Sequence, residues 1–280
     1  MAWCLKYLGR EETTHIIRLA QKTETFRRKW IRKFNQVLGG LTEITAQAFL
    51  NTGEPPSEEM IQHEFEKFLL DHATQTVEKG LEHASNPLRT RLARPYNRRS
   101  LRELQKLYDI SRRGLLPTRI QILAKKLKKD YIQKCQSVWD KYSKDFREGK
   151  VADQKLAVKI ITKASDGVEA RGKMIVETET TRYYNMARRS YFDSSPEVTH
   201  YLFLAIMDVA TTSWCKTRHR VVYAKGDQVT DLETPPCHWN CRSEMVPLAP
   251  LNPVHKKLID NRAAWRENRR PEPLPRGWNK

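Results

Sequence analysis

From Ile120 to Tyr142 an apolar or aromatic residue returns at nearly every third or fourth position (Ile120, Leu123, Leu127, Tyr131, Cys135, Val138, Trp139, Tyr142), which commits the middle of the chain to one long amphipathic helix. Gly149 ends it, and Cys135 lies on the stripe as a small core residue. The same spacing predicts a helix from about Thr13 to Leu38, closed by Gly39-Gly40, and another opening at Ser57 as N-cap, with Glu58 and Glu59 in its first turn, running to about His83. The Asn86-Pro87 and Arg94-Pro95 steps mark an irregular connector, followed by a helix from near Ser100. Further helices are expected over 151–163 and 168–189.

After Ser194-Ser195-Pro196 the pattern changes. Val198 to Met207 and Arg220 to Ala224 are rich in β-branched and aromatic residues and predict short strands. The expected fold class is α-rich, α+β: a basic helical domain over 1–150, a small α+β domain with a Cys/His cluster over 151–248, and a basic, proline-containing tail over 249–280. Seven Trp, ten Tyr and eight Phe supply enough bulk for a core, so wholesale disorder is excluded. The longest apolar run, Tyr201 to Met207, is far short of the ~20 residues a membrane span requires. The opening residues, broken by Lys6, Arg10, Glu11 and Glu12, hold no apolar stretch of signal-peptide length, so a cytoplasmic product is expected.

The formal charge of +18 is concentrated in two places. Residues 86–134 hold fifteen basic side chains against three acidic ones, and the segment from Leu251 holds eight against three. Such blocks favour a polyanion, and the candidate phosphate-contacting residues are Arg98, Arg99, Arg102, Arg112, Arg113, Lys125, Lys126, Lys128 and Lys129. Nothing in them implies base-specific reading.

Of five cysteines, three fall within residues 215–241, a set unlike a disulfide framework. There Cys215-x3-His219 is followed by His238-x2-Cys241, which offers two thiolates and two imidazoles to a tetrahedral zinc. Cys237 is set aside because adjacent residues send their side chains apart. The alternative is a reduced cysteine pair packed in a small domain, with His238 hydrogen-bonded locally.

Three motifs surround this cluster: VETETTRYYNMAR, with Thr178, Glu179, Thr180 and Asn185; DVATTSWC, with Asp208, Thr211, Thr212 and Cys215; and PPCHWNCRS, with His238, Asn240, Cys241 and Arg242. In order and spacing, over about 170–248, they resemble the phage head morphogenesis family, the Mu F-like minor head proteins. The resemblance implies a virion component made in the host cytoplasm, placed at the portal vertex or head interior. Its implied partners are the portal protein, capsid or scaffold proteins and double-stranded DNA, with no membrane. It marks Glu179, Asn185, Asp208, Thr211, Thr212, Asn240 and Arg242 as motif residues. Where the family often has Arg before the Thr pair, this chain has Ala210, so Asp208 is expected to pair differently. Residues 1–150 carry no family signature.

Enzymatic classes fit less well. A zinc deaminase requires His-x-Glu and then Pro-Cys-x2-Cys, whereas PPCHWNC has Cys-x3-Cys and no preceding His-x-Glu. A two-metal nuclease requires clustered carboxylates, and Asp227, Asp231 and Glu233 lie in an expected turn. The 32 residues after Leu248 are too few for a further catalytic domain. A non-enzyme is expected, the alternative being a cytoplasmic DNA-binding protein or a metal-dependent nucleic-acid enzyme.

Overall fold

The protein is described by a computed structural model over residues 10–85, 115–151 and 153–261. The order of elements is α1 (Arg10–Asn51), α2 (Glu58–Ser85), α3 (Leu115–Arg147), α4 (Gln154–Ala164), α5 (Asp166–Asp193), β1 (His200–Leu204), α6 (Ser213–Arg218), β2 (Val222–Ala224), α7 (Gln228–Glu233), β3 (Glu244–Leu248) and α8 (Pro253–Asp260). The chain is thus α-rich with a small three-stranded antiparallel sheet, an α+β fold. The helix expected from Ser100 lies outside the described residues.

Two compact units interleave along the sequence. One is built from 26–73 and from α3 through Val176; the other takes the chain before Phe26, the end of α2 from Thr74, and everything described from Glu177 onward. The sequence divides at 150 and 248 in a linear reading; packing divides it otherwise, because α1, α2 and α5 each contribute residues to both units.

In the first unit the α3 stripe is buried as its spacing dictates: Leu123, Leu127, Tyr131, Cys135 and Val138 are all nearly inaccessible. Tyr131 shares a 2.9 Å hydrogen bond with Thr45 of α1 and packs edge-on to Phe65 of α2. Trp30 of α1 meets Phe68 and His72 of α2 edge to face, and Phe34 stacks on Phe65 and meets Phe68 edge to face. Burial pushes the Cys135 thiol up to about 11, which fits an inert core residue. Helix α1 does not stop at Gly39-Gly40. Its stripe continues through Leu41, Ala46 and Phe49, and burying a Leu or Phe side chain is worth roughly 1.5–3 kcal/mol, against ~1 kcal/mol for each helical glycine. Ser57 accepts the Met60 amide hydrogen at the start of α2, as its position predicts.

In the second unit β1 lies between β2 and β3, antiparallel to both, with Leu202 opposite Val222 and Val246. Alternation along the strands separates two cores. Tyr201, Phe203, Tyr223 and Met245 face a cluster that contains Cys215, Cys237 and Cys241. Leu202, Val222 and Leu248 face the opposite way and pack with Ile259 of α8. The sheet therefore forms the floor on which the cysteines sit. Expected strand 198–207 shortens to β1, 220–224 shortens to β2, and β3 is additional. Among the described residues no helix is long and apolar enough to cross a membrane.

Candidate functional site: a buried Cys-His-Cys group

The site is built on α5, which is buried nearly all round from Thr178 to Thr181. Thr178, Glu179, Thr180, Thr181, Asn185 and Arg188 are all buried, an arrangement that only specific partners make tolerable. Thr178 Oγ1 accepts the Asn240 amide hydrogen at 2.9 Å, and Thr181 Oγ1 donates to the Cys241 carbonyl at 2.5 Å. Asn185 donates through Nδ2 to the Ser243 carbonyl at 3.2 Å and accepts the Met245 amide hydrogen at 3.1 Å. Arg188 pairs with Glu244 at 3.0 Å. Positions 178, 181, 185 and 188 recur at three and four residues, so one helix face holds the segment 240–245. Glu179 pairs with Arg182 one turn on, at 3.2 Å.

That segment carries the thiol and imidazole. A turn closes through the Cys241 amide hydrogen to the His238 carbonyl at 3.3 Å, with Asn240 in the left-handed region at φ 58°. Asn enters that region at lower cost than other residues with a Cβ, which accounts for its place in the motif. The turn brings His238 and Cys241 onto one side, against Cys215 of α6, whose amide is capped by Thr212. Their ligand atoms all lie within 4.8 Å of one another. Cys215 Sγ is 3.0 Å from His238 Nε2 and 3.8 Å from Cys241 Sγ. A tetrahedron with Zn–S bonds of about 2.3 Å has an S···S edge of about 3.8 Å, the separation found here. His238 Nδ1 must carry its proton, since it faces the Trp239 carbonyl at 2.7 Å, so Nε2 is the ligand nitrogen.

These three buried residues can hold a metal ion. Their protonation suits the task. Burial resists ionisation of Cys241, but hydrogen bonds from Cys215, Cys237 and His238 overcome it and hold its thiol well below the ordinary value. Burial likewise resists charge on His238, yet contact with Cys215 and Cys241 carries it up to about 10. Both shifts favour the charged form of the side chain, and a cation bound there would take the place of protons. Cys237 is pushed the other way by the Cys215 and Cys241 thiols and by burial, and its Sγ donates to the Glu233 carbonyl at 3.6 Å.

His219, the fourth ligand expected from spacing, is not part of the group. It ends α6, and its Nδ1 accepts the Ala205 amide hydrogen at 3.2 Å, which ties the helix to the sheet instead. The loop before α6 is held by Asp208, which accepts from the Ala210 amide at 3.0 Å, from Thr211 Oγ1 at 2.9 Å and from Arg242 Nη2 at 2.6 Å. The guanidinium that meets Asp208 is thus that of Arg242, next to Cys241 in the chain. Asp227, expected in a turn, instead caps α7. Residues not singled out in the sequence also contribute: Thr181 and Arg188 on α5, and Arg218, which pairs with Glu233 and lies 3.4 Å over the Trp214 ring.

Of the basic block, Arg98, Arg99, Arg102, Arg112 and Arg113 lie outside the described residues. Lys125, Lys126 and Lys129 are exposed on α3, and Lys128 pairs with Glu58 at 3.1 Å. The chain matches no family model, no curated protein and no solved structure.

The hydrogen bond from Arg242, helped by Thr211, pulls the Asp208 carboxyl from its ordinary 3.8 down to about 2. A folded-state value below the unfolded one means that this contact stabilises the fold above about pH 4 and is lost as pH falls toward 2. A carboxyl-carbon NMR titration is expected to find the Asp208 midpoint near 2, returning toward 3.8 in Arg242→Ala. An ordinary midpoint in the unaltered protein would contradict the pairing.

Proposed function

We propose that this chain is a minor head protein of a tailed phage, resident at the portal vertex or in the head interior, that supports head assembly and the passage of DNA without catalysing a reaction. One observation carries the reading: three motifs spread over residues 178–242 converge on a single site. Thr178 meets Asn240, Asp208 meets Arg242, and Cys215 meets His238 and Cys241. Residues that match a family pattern at separate places in the sequence thus support one local structure. A chance match of short motifs has no reason to do that.

On this reading the Cys-His-Cys group binds zinc. Two thiolates and an imidazole are its preferred donors, and a buried ion would join α6 to the 238–241 turn. The lobe serves as the docking and folding unit, with portal, capsid or scaffold proteins as partners. The basic blocks lie against packaged DNA and contact its backbone without reading sequence.

Purified particles, analysed by mass spectrometry beside particles made without this gene product, are expected to contain the protein in few copies. Complete absence from heads and assembly intermediates would refute the assignment. For the DNA contact, Lys125, Lys126 and Lys129 are the test positions. Binding to unrelated duplexes is expected to weaken steeply with salt, and replacing the three with Gln to lower the log-log slope by about 0.9 for each phosphate that is no longer neutralised. Sequence-discriminating binding, or none at low salt, would sink that part.

A further inference from the structure

The donors Cys215, His238 and Cys241 account for three vertices of a tetrahedron, and a structural zinc takes its fourth ligand from the protein as well. The cleft beside Cys215 and His238 has room for about one water. Other ligand-type side chains in this part of the lobe are engaged: Asp208 with Arg242 at 2.6 Å, Glu233 with Arg218 at 3.2 Å, and His219 Nδ1 with the Ala205 amide hydrogen.

Cys237 is placed differently. It is buried in the same core cluster as Cys215 and Cys241, and its thiol hydrogen-bonds with both of theirs, so the three sulfurs form one buried group. Its contact with the Glu233 carbonyl at 3.6 Å is the weak kind that a thiol makes. Cys237 Sγ stands outside the set of ligand atoms that lie within 4.8 Å of one another, so it joins a shared ion by turning away from that carbonyl and giving up its proton. A coordinating cation removes a thiol proton outright, whatever burial does to the free thiol.

Adjacency in the chain, which argues against Cys237 in the sequence, is not a bar in the folded turn. A cysteine sulfur sits close to the backbone, whereas His238 offers Nε2, at the far end of its ring, because Nδ1 is held by the Trp239 carbonyl. Two neighbours that leave the backbone in different directions can meet at one ion when their reach differs this much. Three thiolates and one imidazole are a standard closed set for structural zinc, and a thiol already held beside the other sulfurs is a softer donor than a water from the cleft.

We propose that Cys237 is the fourth ligand of the metal, closing a Cys215-Cys237-His238-Cys241 site in which the ion is a sealed cross-link between α6 and the 237–241 segment. The proposal rests on the metal-binding reading above.

X-ray absorption at the zinc edge counts the sulfur donors in the unaltered, full-length protein. Loaded with one equivalent of Zn(II), it is expected to show three sulfurs at about 2.3 Å and one nitrogen at about 2.0–2.1 Å. Co(II) in place of zinc is expected to give a tetrahedral visible spectrum with thiolate charge-transfer intensity for three sulfurs. Cys237→Ser should lower that intensity by about one third and weaken zinc binding about 100-fold or more, since loss of even an outer-shell partner costs roughly 10–100-fold. Cys4→Ser and Cys135→Ser should change neither, which assigns the third sulfur even if Cys237→Ser does not fold. Two sulfurs with an oxygen as fourth donor in the unaltered protein would overturn the proposal and leave the metal reading standing. A three-sulfur count that survives in Cys237→Ser would do the same. Failure to take up Zn(II) or Co(II) at all would reject the metal reading itself.

Discussion

The turn that carries His238 and Cys241 is buried at those two residues and exposed at Asn240, and side chains of a single helix hold its backbone. Thr178, Thr181 and Asn185 of α5 supply hydrogen bonds to residues 240, 241, 243 and 245. Each such bond contributes only about 0.5–1.5 kcal/mol net, but a buried amide or carbonyl left without a partner costs roughly 1–3 kcal/mol. The set is therefore most consequential when broken. It also fixes the height and rotation of the turn against α5, and with them the direction from which His238 and Cys241 approach Cys215. The sheet beneath gives the turn a fixed floor, because Met245 both donates its amide hydrogen to Asn185 Oδ1 and is the β3 partner of Phe203.

Charge is handled in the same way. Arg188 with Glu244 and Arg218 with Glu233 pair side chains from separate elements at positions where one partner alone would be an uncompensated buried charge. Such pairs add little net stability compared with apolar substitutes, but they penalise misplacement strongly. The lobe is small, with two modest apolar clusters on either face of three short strands. Polar pairing, together with the thiol-imidazole group, is what makes its arrangement specific.

Period and turn chemistry made the long helices legible, since α2, α3, α4 and α5 bury stripes or carry caps that can be counted in the sequence. Gly39-Gly40 misleads because local propensity favours a stop while the apolar stripe continues beyond it. Strand β3 is masked by Pro247, which is tolerated there because β3 is an edge strand. The Cys215, His238 and Cys241 set is readable from residue type. The exclusion of His219 is not, since its Nδ1 is taken by an amide from β1's end, fourteen residues earlier in the chain. Thr181 and Arg188 escape because a buried polar helix face has no apolar periodicity, and its meaning lies in partners some sixty residues away.

The central claim is that a metal at the Cys-His-Cys group and the polar face of α5 hold the second unit together as one cooperative structure. Hydrogen exchange of the full-length protein, with and without a zinc chelator, tests it most directly. Removal of the ion is predicted to speed exchange of the Cys241, Met245 and Phe203 amides by ~10-fold or more, equivalent to about 1.4 kcal/mol of local protection, while amides within 26–73 keep their rates. Unchanged rates at Cys241 and Met245 after chelation would contradict it.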